Sequence, residues 1–340
     1  MRVIVIGAGA IGGMVAGYLS ADGHAVLAVD DWVEHVEAIS DRGLRIRGAR
    51  GTHLFRPQAV CWSSLEPPDS PPDLVLVSVK SADTDRAAEL AARLLGDSTV
   101  VISTQNGLNE DALCKRLGPE RVIGAVCEIG GYLDGPGEIV ETRAEGGFVI
   151  GELDGTDTPR LREAQKVLAA CAPTVVSPQI RNVLWSKLTW NCIMNSLTAI
   201  TGLGQGQVWA QTRLRELAAG VAREAAAVAE ADGAALEPLG FLGVDLPGLA
   251  STDQTVAGRT IEAIVRRYEA QWEKSTSMLQ DVRHGRPTEV DYLNGHVVRR
   301  GRELGVAAPL NARLVELVHA VERGADRQGV QLLDSLVAVA

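Results

Sequence analysis

Val3-Ile4-Val5-Ile6-Gly7-Ala8-Gly9-Ala10-Ile11-Gly12-Gly13-Met14-Val15-Ala16-Gly17-Tyr18-Leu19 stands at the start of the chain, and its reading decides the fold. Four consecutive apolar residues, Val3 to Ile6, are the signature of a strand buried on both faces. Met14 to Leu19 reads as a helix, so Gly7, Gly9 and Gly12 punctuate the turn between strand and helix with G-x-G-x-x-G spacing. Gly7 permits the tight turn, Gly9 lets backbone approach a pyrophosphate, and Gly12 allows close packing of helix on strand. Together with Ala10 and Ile11 they direct the helix N-terminus at a diphosphate. Glycine spacing alone is a weak sign, but its place between a strand and a helix makes this a dinucleotide-binding loop rather than an ordinary glycine-rich turn.

Working outward, Ala25 to Val29 forms a second strand that ends at Asp30-Asp31, about 20 residues after the glycines. A carboxylate there accepts from the adenosine ribose 2′-OH and repels a 2′-phosphate, which favours NAD(H) and leaves NADP(H) as the alternative. One of the two acids can instead cap the helix that begins near Trp32, and Arg42, Arg45 and Arg47 lie farther along as possible phosphate partners. Leu44 to Val60 alternates loosely, as an edge strand or hairpin does, and Pro67 to Pro72 is a rigid loop. Leu74 to Lys80 and Val100 to Gly107 repeat the buried-strand pattern, with Lys80 and Asn106 at the carboxyl ends. Ligands of open α/β sheets bind outside those ends, so both residues are expected at the nicotinamide and its ribose; each alone reads equally as a surface lysine or an Asn-Gly turn. Val122 to Ile150 reads as further antiparallel strands closing the domain, followed by a helix from Leu161 to Ala170.

The prolines of Cys171 to Pro178 mark a boundary. The expected architecture is an α/β N-terminal Rossmann-type domain with a parallel sheet over residues 1–178, followed by an all-α C-terminal domain over 179–340. Helices are expected at Lys187 to Ala199, Leu214 to Asp232 with Gly233 past its end, and Ile261 to Arg283. The last carries Ile261, Ile264, Val265, Tyr268, Trp272, Leu279 and Val282 on one face, and Leu236 to Gly258 between them reads as a loop. Within the first helix Lys187, Asn191 and Asn195 recur at i, i+4, so an ammonium and two carboxamides line one edge of an otherwise apolar helix. That stripe fits a pocket wall; the competing reading is a solvent-facing edge with a snorkelling lysine. Thr288 after Pro287 looks like a helix start, which puts Glu289 in a first turn, either as a helix-dipole partner or reaching across a gap. His284 and His296 lack ligand spacing to acids or cysteines, so no metal is assigned.

The chain has 340 residues, too many for one ordinary core, with 46% hydrophobic and 22% charged residues. Its 33 basic against 43 acidic residues give a net charge of −10 without long runs of either sign, which argues against a nucleic-acid or anionic-membrane surface. Five widely spaced cysteines without a C-x-x-C pair are those of reduced thiols filling a core. No basic leader precedes the first strand, and no uncharged run reaches the roughly 20 residues of a membrane span, so a cytoplasmic location is expected.

Taken together, the glycine loop, Lys80, Gln105-Asn106-Gly107, Lys187-Leu188-Thr189-Trp190-Asn191-Cys192-Ile193-Met194-Asn195 and Ser277-Met278-Leu279-Gln280-Asp281 with Thr288-Glu289-Val290-Asp291 resemble the ketopantoate reductase (2-dehydropantoate 2-reductase) family. The resemblance spans essentially the whole chain in the same order; the Lys/Asn helix and the Ser…Glu pair are specific to it, whereas the glycine loop is not. It implies a Rossmann domain and a helical domain with the active site in the cleft between them. It further implies Lys187 as general acid with Glu289 as its carboxylate partner, Asn191, Asn195 and Ser277 as substrate holders, and Lys80 and Asn106 beside cofactor and substrate. Members that use NADPH typically carry an arginine after the second strand, where this chain has Asp30-Asp31. Relatives include D-2-hydroxyacid dehydrogenases of the mandelate type.

The chemistry so implied is reduction of a 2-keto acid: hydride reaches the keto carbon, and a proton donor meets the developing alkoxide. Desolvation in a cleft pulls a lysine below its free pKa of about 10.4, while a neighbouring carboxylate opposes that shift. Neutral Asn and Ser donors suit the substrate's carboxylate and hydroxyl. A reading from another class is a non-catalytic dinucleotide sensor, which has no need of the Lys187 and Glu289 pair. The helical domain with its apolar surplus is expected to form a homodimer.

Overall fold

Side chains alternate across a strand, and in the first strand, β1 (Arg2–Ile6), this divides one apolar run between two cores. Val3 and Val5 join Met14, Val15 and Leu19 on one side; Ile4 and Ile6 join Ala87, Ala88 and Leu90 on the other. In the computed structural model, which describes residues 1–337, the chain forms two compact units, Met1–Ile180 and a second from Arg181 onward.

The first unit continues with α1 (Ala10–Ala21), β2 (Ala25–Asp30), α2 (Val33–Arg42), β3 (Leu44–Gly48), β4 (Gly51–Phe55), β5 (Gln58–Cys61) and β6 (Leu74–Val77). Then follow α3 (Thr84–Ala92), β7 (Val100–Ser103), α4 (Glu110–Leu117), β8 (Val122–Cys127), β9 (Gly131–Gly135), β10 (Glu138–Glu141), β11 (Phe148–Glu152), α5 (Pro159–Ala169) and β12 (Thr174–Val176). Eight strands build the main sheet in the order β12-β11-β8-β7-β6-β1-β2-β5. The six from β8 to β5 run parallel, β11 is antiparallel to β8, and β12 pairs parallel with β11. Strand order reverses at β1, which has β2 on one side and β6 on the other, so the carboxyl ends of β1 and β6 flank the switch point where such sheets bind ligands.

The expected closing strands of Val122 to Ile150 divide differently. β8 and β11 extend the main sheet, whereas β9 and β10 form a second, four-stranded sheet with the β3–β4 hairpin, in the order β4-β3-β10-β9. Here β10 lies parallel to β3, pairing Ile139 with Ile46. The second sheet seats on α1 where that helix has no side chains: a Cβ on Gly13 would lie 2.6 Å from Ile139, and one on Gly17 2.7 Å from Phe55. Thr174–Val176, in the stretch read as a boundary loop, is the edge strand β12.

The second unit is helical: α6 (Ile180–Thr201), α7 (Gln205–Ala210), α8 (Thr212–Ala231), α9 (Leu246–Ala250), α10 (Gln254–Tyr268), α11 (Ser277–Arg283), α12 (Asn294–Leu304), α13 (Pro309–Glu322) and α14 (Asp334–Val337). Two expectations need correction. The helix expected over Ile261 to Arg283 is two, because Thr276 takes an extended conformation and its hydroxyl accepts the Leu279 N–H at 3.3 Å, starting α11 afresh. Trp272, expected on the buried face, falls in the break and is 48% exposed. The expected loop of Leu236 to Gly258 contains a Leu239–Val244 bridge, α9 and the start of α10, each helix begun by an aspartate, Asp245 or Asp253, whose side chain accepts a first-turn N–H. Among the described residues no helix is long and apolar enough to cross a membrane.

The β3–β4 turn is fastened by Arg50, whose guanidinium binds Glu141 Oε1 at 2.5 Å and the Cys171 carbonyl at 2.5 Å, and covers the Tyr18 ring at 3.9 Å. The Glu141 side chain is 2% exposed, so removing the arginine strands a buried carboxylate. Arg50→Ala is expected to cost about 2–4 kcal/mol in urea unfolding, and adding Glu141→Gln should recover much of it. Parental stability in Arg50→Ala would refute the role of this pair.

Candidate functional site

The β1–α1 turn is built for close approach. Gly7 has φ +94°, and a Cβ on Gly12 would sit 1.9 Å from the Gly7 carbonyl oxygen, so α1 leaves the strand too tightly for any side chain there. Gly9 differs: a Cβ there meets nothing within 4 Å, which leaves open space over the turn. Gly9 is also the N-cap of α1 and offers no side-chain acceptor, so the first-turn N–H groups around Ala10 and Ile11 are not capped from within. An uncapped helix start facing open space fits a diphosphate.

The two aspartates after β2 have different work. Asp30 Oδ2 accepts the Ala8 N–H at 2.7 Å and Oδ1 the Trp32 N–H at 3.0 Å, so this carboxylate ties the glycine loop to the start of α2. Each oxygen retains a second lone pair for a ribose hydroxyl. Asp31, exposed, pairs with Arg86 of α3 at 3.2 Å, and that guanidinium lies 4.3 Å from the centre of the Trp62 ring. Asp31, Arg86 and Trp62 thus come together from the segments that follow β2, β6 and β5, far apart in the sequence. Arg42, Arg45 and Arg47 lie elsewhere: Arg45 and Arg47 pair with Glu138 and Asp134 on the second sheet.

Lys80 and Asn106 emerge from neighbouring strands, since β6 and β7 pair with Val77 beside Ser103. Lys80 lies three residues beyond the end of β6 and is exposed; Asn106 is partly buried. The two loops are stitched together by side chains that pattern reasoning passed over. Ser81 donates to the Asn106 carbonyl at 2.9 Å, Asn109 Nδ2 donates to the same oxygen at 2.8 Å, and Thr84 donates to Asn109 Oδ1 at 3.1 Å. Gln105 Nε2 reaches Thr84 at 2.8 Å, and Ser78 and Thr104 share a bond of 2.6 Å. Directly behind, Glu110 opens α4 fully buried, and burial pushes its carboxyl up to about 7. The signal for this network was present as a run of short polar residues at strand ends, which turn and loop statistics alone do not single out.

In the second unit α6 carries Lys187, partly buried, and Asn191 and Asn195, at 5% and 6% exposure. The helix is longer than its sequence signal, and its remaining hydroxyls are spent internally: Ser186, Thr189, Ser196, Thr198 and Thr201 all donate to carbonyls one turn back. Two other segments meet α6 near the stripe. Thr276, the residue before Ser277, shares a 2.6 Å bond with Thr198, which is one turn past Asn195. Asn294 Nδ2 donates to the Cys192 carbonyl at 3.0 Å, next to Asn191, and to Asn311 Oδ1 at 3.0 Å. Ser277 is thereby carried toward one end of the stripe and is exposed, and the segment tied to the same helix through Asn294 includes Glu289, 7% exposed.

Glu289 does not occupy a helical first turn. Residues 289–293 form turns, closed by Tyr292 N–H and Leu293 N–H on the Glu289 carbonyl, and α12 starts only at Asn294. Leu293, with φ −102° and ψ −96°, breaks helical geometry before α12 can extend backwards. Thr276, Asn294 and Asn311 escaped the sequence reading; Thr276 had a recognisable cue as a threonine three residues before an apolar helical position. Cys171 and Cys192 are buried thiols whose ionisation burial strongly disfavours. Among the described residues no group of His, Cys, Asp and Glu is arranged to hold a metal.

Residues 3–155 match the model of the ketopantoate reductase PanE/ApbA family, and residues 179–322 match that of its C-terminal domain. A 2-dehydropantoate 2-reductase of Archaeoglobus fulgidus is 32% identical over 95% of this chain and 98% of its own length. The crystal structure of a PanE/ApbA family ketopantoate reductase from Ralstonia eutropha JMP134 is similar with a TM-score of 0.79 and 32% identity, covering 95% of this chain and 99% of that one. A ternary structure of D-mandelate dehydrogenase with NADH and anilino(oxo)acetate is similar with a TM-score of 0.81 and 25% identity, covering 95% and 99%. The two family matches span the glycine loop, the strand-end residues, the α6 stripe and the turn of Glu289 in one order, and the chain belongs to the ketopantoate reductase family of nicotinamide-dinucleotide-dependent oxidoreductases.

Proposed function

We propose that this chain reduces a 2-keto acid to the 2-hydroxy acid with NAD(H), with ketopantoate as the first substrate to test. The supporting observation is the α6 stripe: one cation and two carboxamides at successive turns of a helix whose serines and threonines donate to its own backbone, approached by the segments of Ser277 and Glu289. The bound nicotinamide supplies the hydride. Lys187 donates the proton to the keto oxygen as alkoxide charge develops, and Glu289 holds the ammonium in place and in its charged state. Asn191, Asn195 and Ser277 donate hydrogen bonds to the substrate carboxylate and hydroxyl without changing the proton count. Asn106 and Lys80 bind the nicotinamide-ribose end, and the first-turn N–H groups of α1 bind the diphosphate. Residues 1–178 are the nucleotide domain in this reading, and 179–340 the substrate domain. Self-association as a homodimer through the helical part, where Trp272 and Tyr292 are exposed, and a cytoplasmic location belong to the same proposal.

Bulkier aryl keto acids are the second substrate class, favoured by the likeness to D-mandelate dehydrogenase across 95% of the chain. A panel containing ketopantoate and benzoylformate, followed by nicotinamide absorbance, separates the two; no turnover of any 2-keto acid despite tight NADH binding would refute the reductase reading. Lys187→Ala is expected to lower kcat by about 10²–10⁴-fold, and near-parental turnover in that variant would remove Lys187 from the role of general acid.

The cofactor assignment rests on Asp30 and Asp31. NADH should give the higher kcat/KM, and Asp31→Ala should raise kcat/KM for NADPH by roughly three- to tenfold, because it removes a carboxylate and unties Arg86. A parental preference for NADPH would overturn the assignment. The two loop glycines should separate stability from binding. Gly12→Ala, which must push against the Gly7 carbonyl, is expected to lower Tm. Gly9→Ala should leave Tm unchanged yet weaken NADH binding by about tenfold, since its methyl group enters only the space kept for the diphosphate. Equal NADH affinity in Gly9→Ala would place the diphosphate elsewhere.

A further inference from the structure

The turn that carries Glu289 is gripped on both sides by the end of α13. Glu322, the last residue of that helix, accepts the Thr288 N–H at 2.7 Å through Oε1 and binds His319 Nδ1 at 2.6 Å through Oε2. The other ring nitrogen of His319 reaches Asp291 Oδ1 at 3.1 Å. One imidazole therefore bridges two carboxylates, and the chain Thr288–Glu322–His319–Asp291 closes a ring around Glu289, joining the residue before it to the residue two beyond it. Burial works against the charged imidazole, but Glu322 and Asp291 outweigh it and raise His319 above its ordinary range. Burial likewise opposes the Glu322 carboxylate, and Thr288 and His319 outweigh it and hold that group below the usual range. Arg299 completes the charged surroundings, donating to the Asp291 carbonyl at 2.7 Å.

A turn needs such a device where a helix does not. Within residues 289–293 the turn closes through the Glu289 and Val290 carbonyls, Val290 N–H reaches the Thr288 hydroxyl at a long 3.3 Å, and the other bonds run to residues just ahead in the chain, Arg299 among them. Those bonds fix the turn's shape but not its placement. Placement comes from Asn294 on the far side, bound to α6 and α13, and from Glu322 and His319 on the near side.

We infer that His319 and Glu322 are positioning residues for the reaction, an ion-paired clamp that sets the Glu289 carboxylate against the substrate and Lys187. This rests on the role proposed above for Glu289. Neither clamp residue touches substrate; both act on the backbone that presents the carboxylate. Displacing a reacting group by about an ångström costs up to roughly a hundredfold in rate, so a loosened turn should be visible in turnover while the fold persists.

The test is a double-mutant cycle in the full chain, measured as kcat and KM with the keto acid turned over fastest and NADH, beside Tm and the Kd for NADH. His319→Ala and Glu322→Ala should each lower kcat about tenfold with the NADH Kd unchanged, and Glu322→Gln, which keeps an acceptor for the Thr288 N–H, should recover part of the loss. Combined with Glu289→Ala, the His319→Ala change should add less than about twofold, because no carboxylate is left to place. The same tenfold loss in the Glu289→Ala background would make the cluster merely structural and overturn the clamp. Parental kcat in His319→Ala beside an impaired Glu289→Ala would overturn the clamp alone, whereas parental kcat in Glu289→Ala would overturn the role of Glu289 and the clamp with it. Should His319→Ala fail to fold, Asp291→Asn tests the same arm on a half-exposed side chain, with a smaller loss of kcat expected and an unchanged kcat counting against the inference.

Discussion

A helix buried on nearly every side has to satisfy each polar group it carries, and α6 meets this constraint in two ways. Its serines and threonines donate back to carbonyls of the preceding turn, which places their protons within the helix and leaves their oxygens to accept from elsewhere, as Ser186 does from the Glu237 N–H. An ammonium with three donors and a carboxamide with two donors and an acceptor have more bonding capacity than one carbonyl of the preceding turn can meet. Other segments of the helical unit meet the helix beside these residues. Thr276 delivers the start of α11 to one end of the stripe, and Asn294 delivers the turn of Glu289 to its middle. Burial thus converts a sequence periodicity into a demand for specific partners.

The parts legible in the sequence were those written in local patterns. β1, the glycine turn and α1 could be read together because a two-residue and a 3.6-residue period meet at glycines whose spacing has a steric meaning, and the Cβ of Gly12, 1.9 Å from the Gly7 carbonyl, is that meaning made concrete. The α6 stripe was legible for the same reason. The second sheet was not: β10 pairs with β3 across more than ninety residues of chain, and nothing in Glu138 to Glu141 distinguishes a strand of this sheet from one of the main sheet. Its cue lay instead in α1, where Gly13 and Gly17 leave the helix bare on one side. Likewise, helical periodicity carried the reading of Ile261 straight through a break, because Trp272 continues the apolar phase although the helix has ended.

The acidic pair Asp30-Asp31 shows how two adjacent residues of one type can divide their labour. The sequence allowed one aspartate to cap and the other to bind ribose without saying which. Asp30 holds two backbone N–H groups and so fixes the glycine loop, yet its remaining lone pairs make it compatible with ribose as well. Asp31 is compensated by Arg86, and the sequence places those residues 55 apart. A lone carboxylate repels a 2′-phosphate more strongly than one with a guanidinium beside it, so in the proposed cofactor assignment the residue on α3 counts beside the acids themselves.

Delivering a carboxylate on a turn rather than on a helix has a further consequence. A helix would fix the direction of Glu289 through its own ladder of hydrogen bonds, but it would also place the side chain on a surface shared with residues three and four positions away. The turn at 289–293 avoids that crowding and lets Val290 and Leu293, both fully buried, face inward while Asp291 and Tyr292 face out. The rigidity forgone locally has to be supplied from outside, by groups that bond to backbone N–H or to flanking side chains. Glu322 on Thr288 and His319 on Asp291 meet that requirement, since each holds a neighbour of Glu289 and neither hydrogen bond uses its carboxylate.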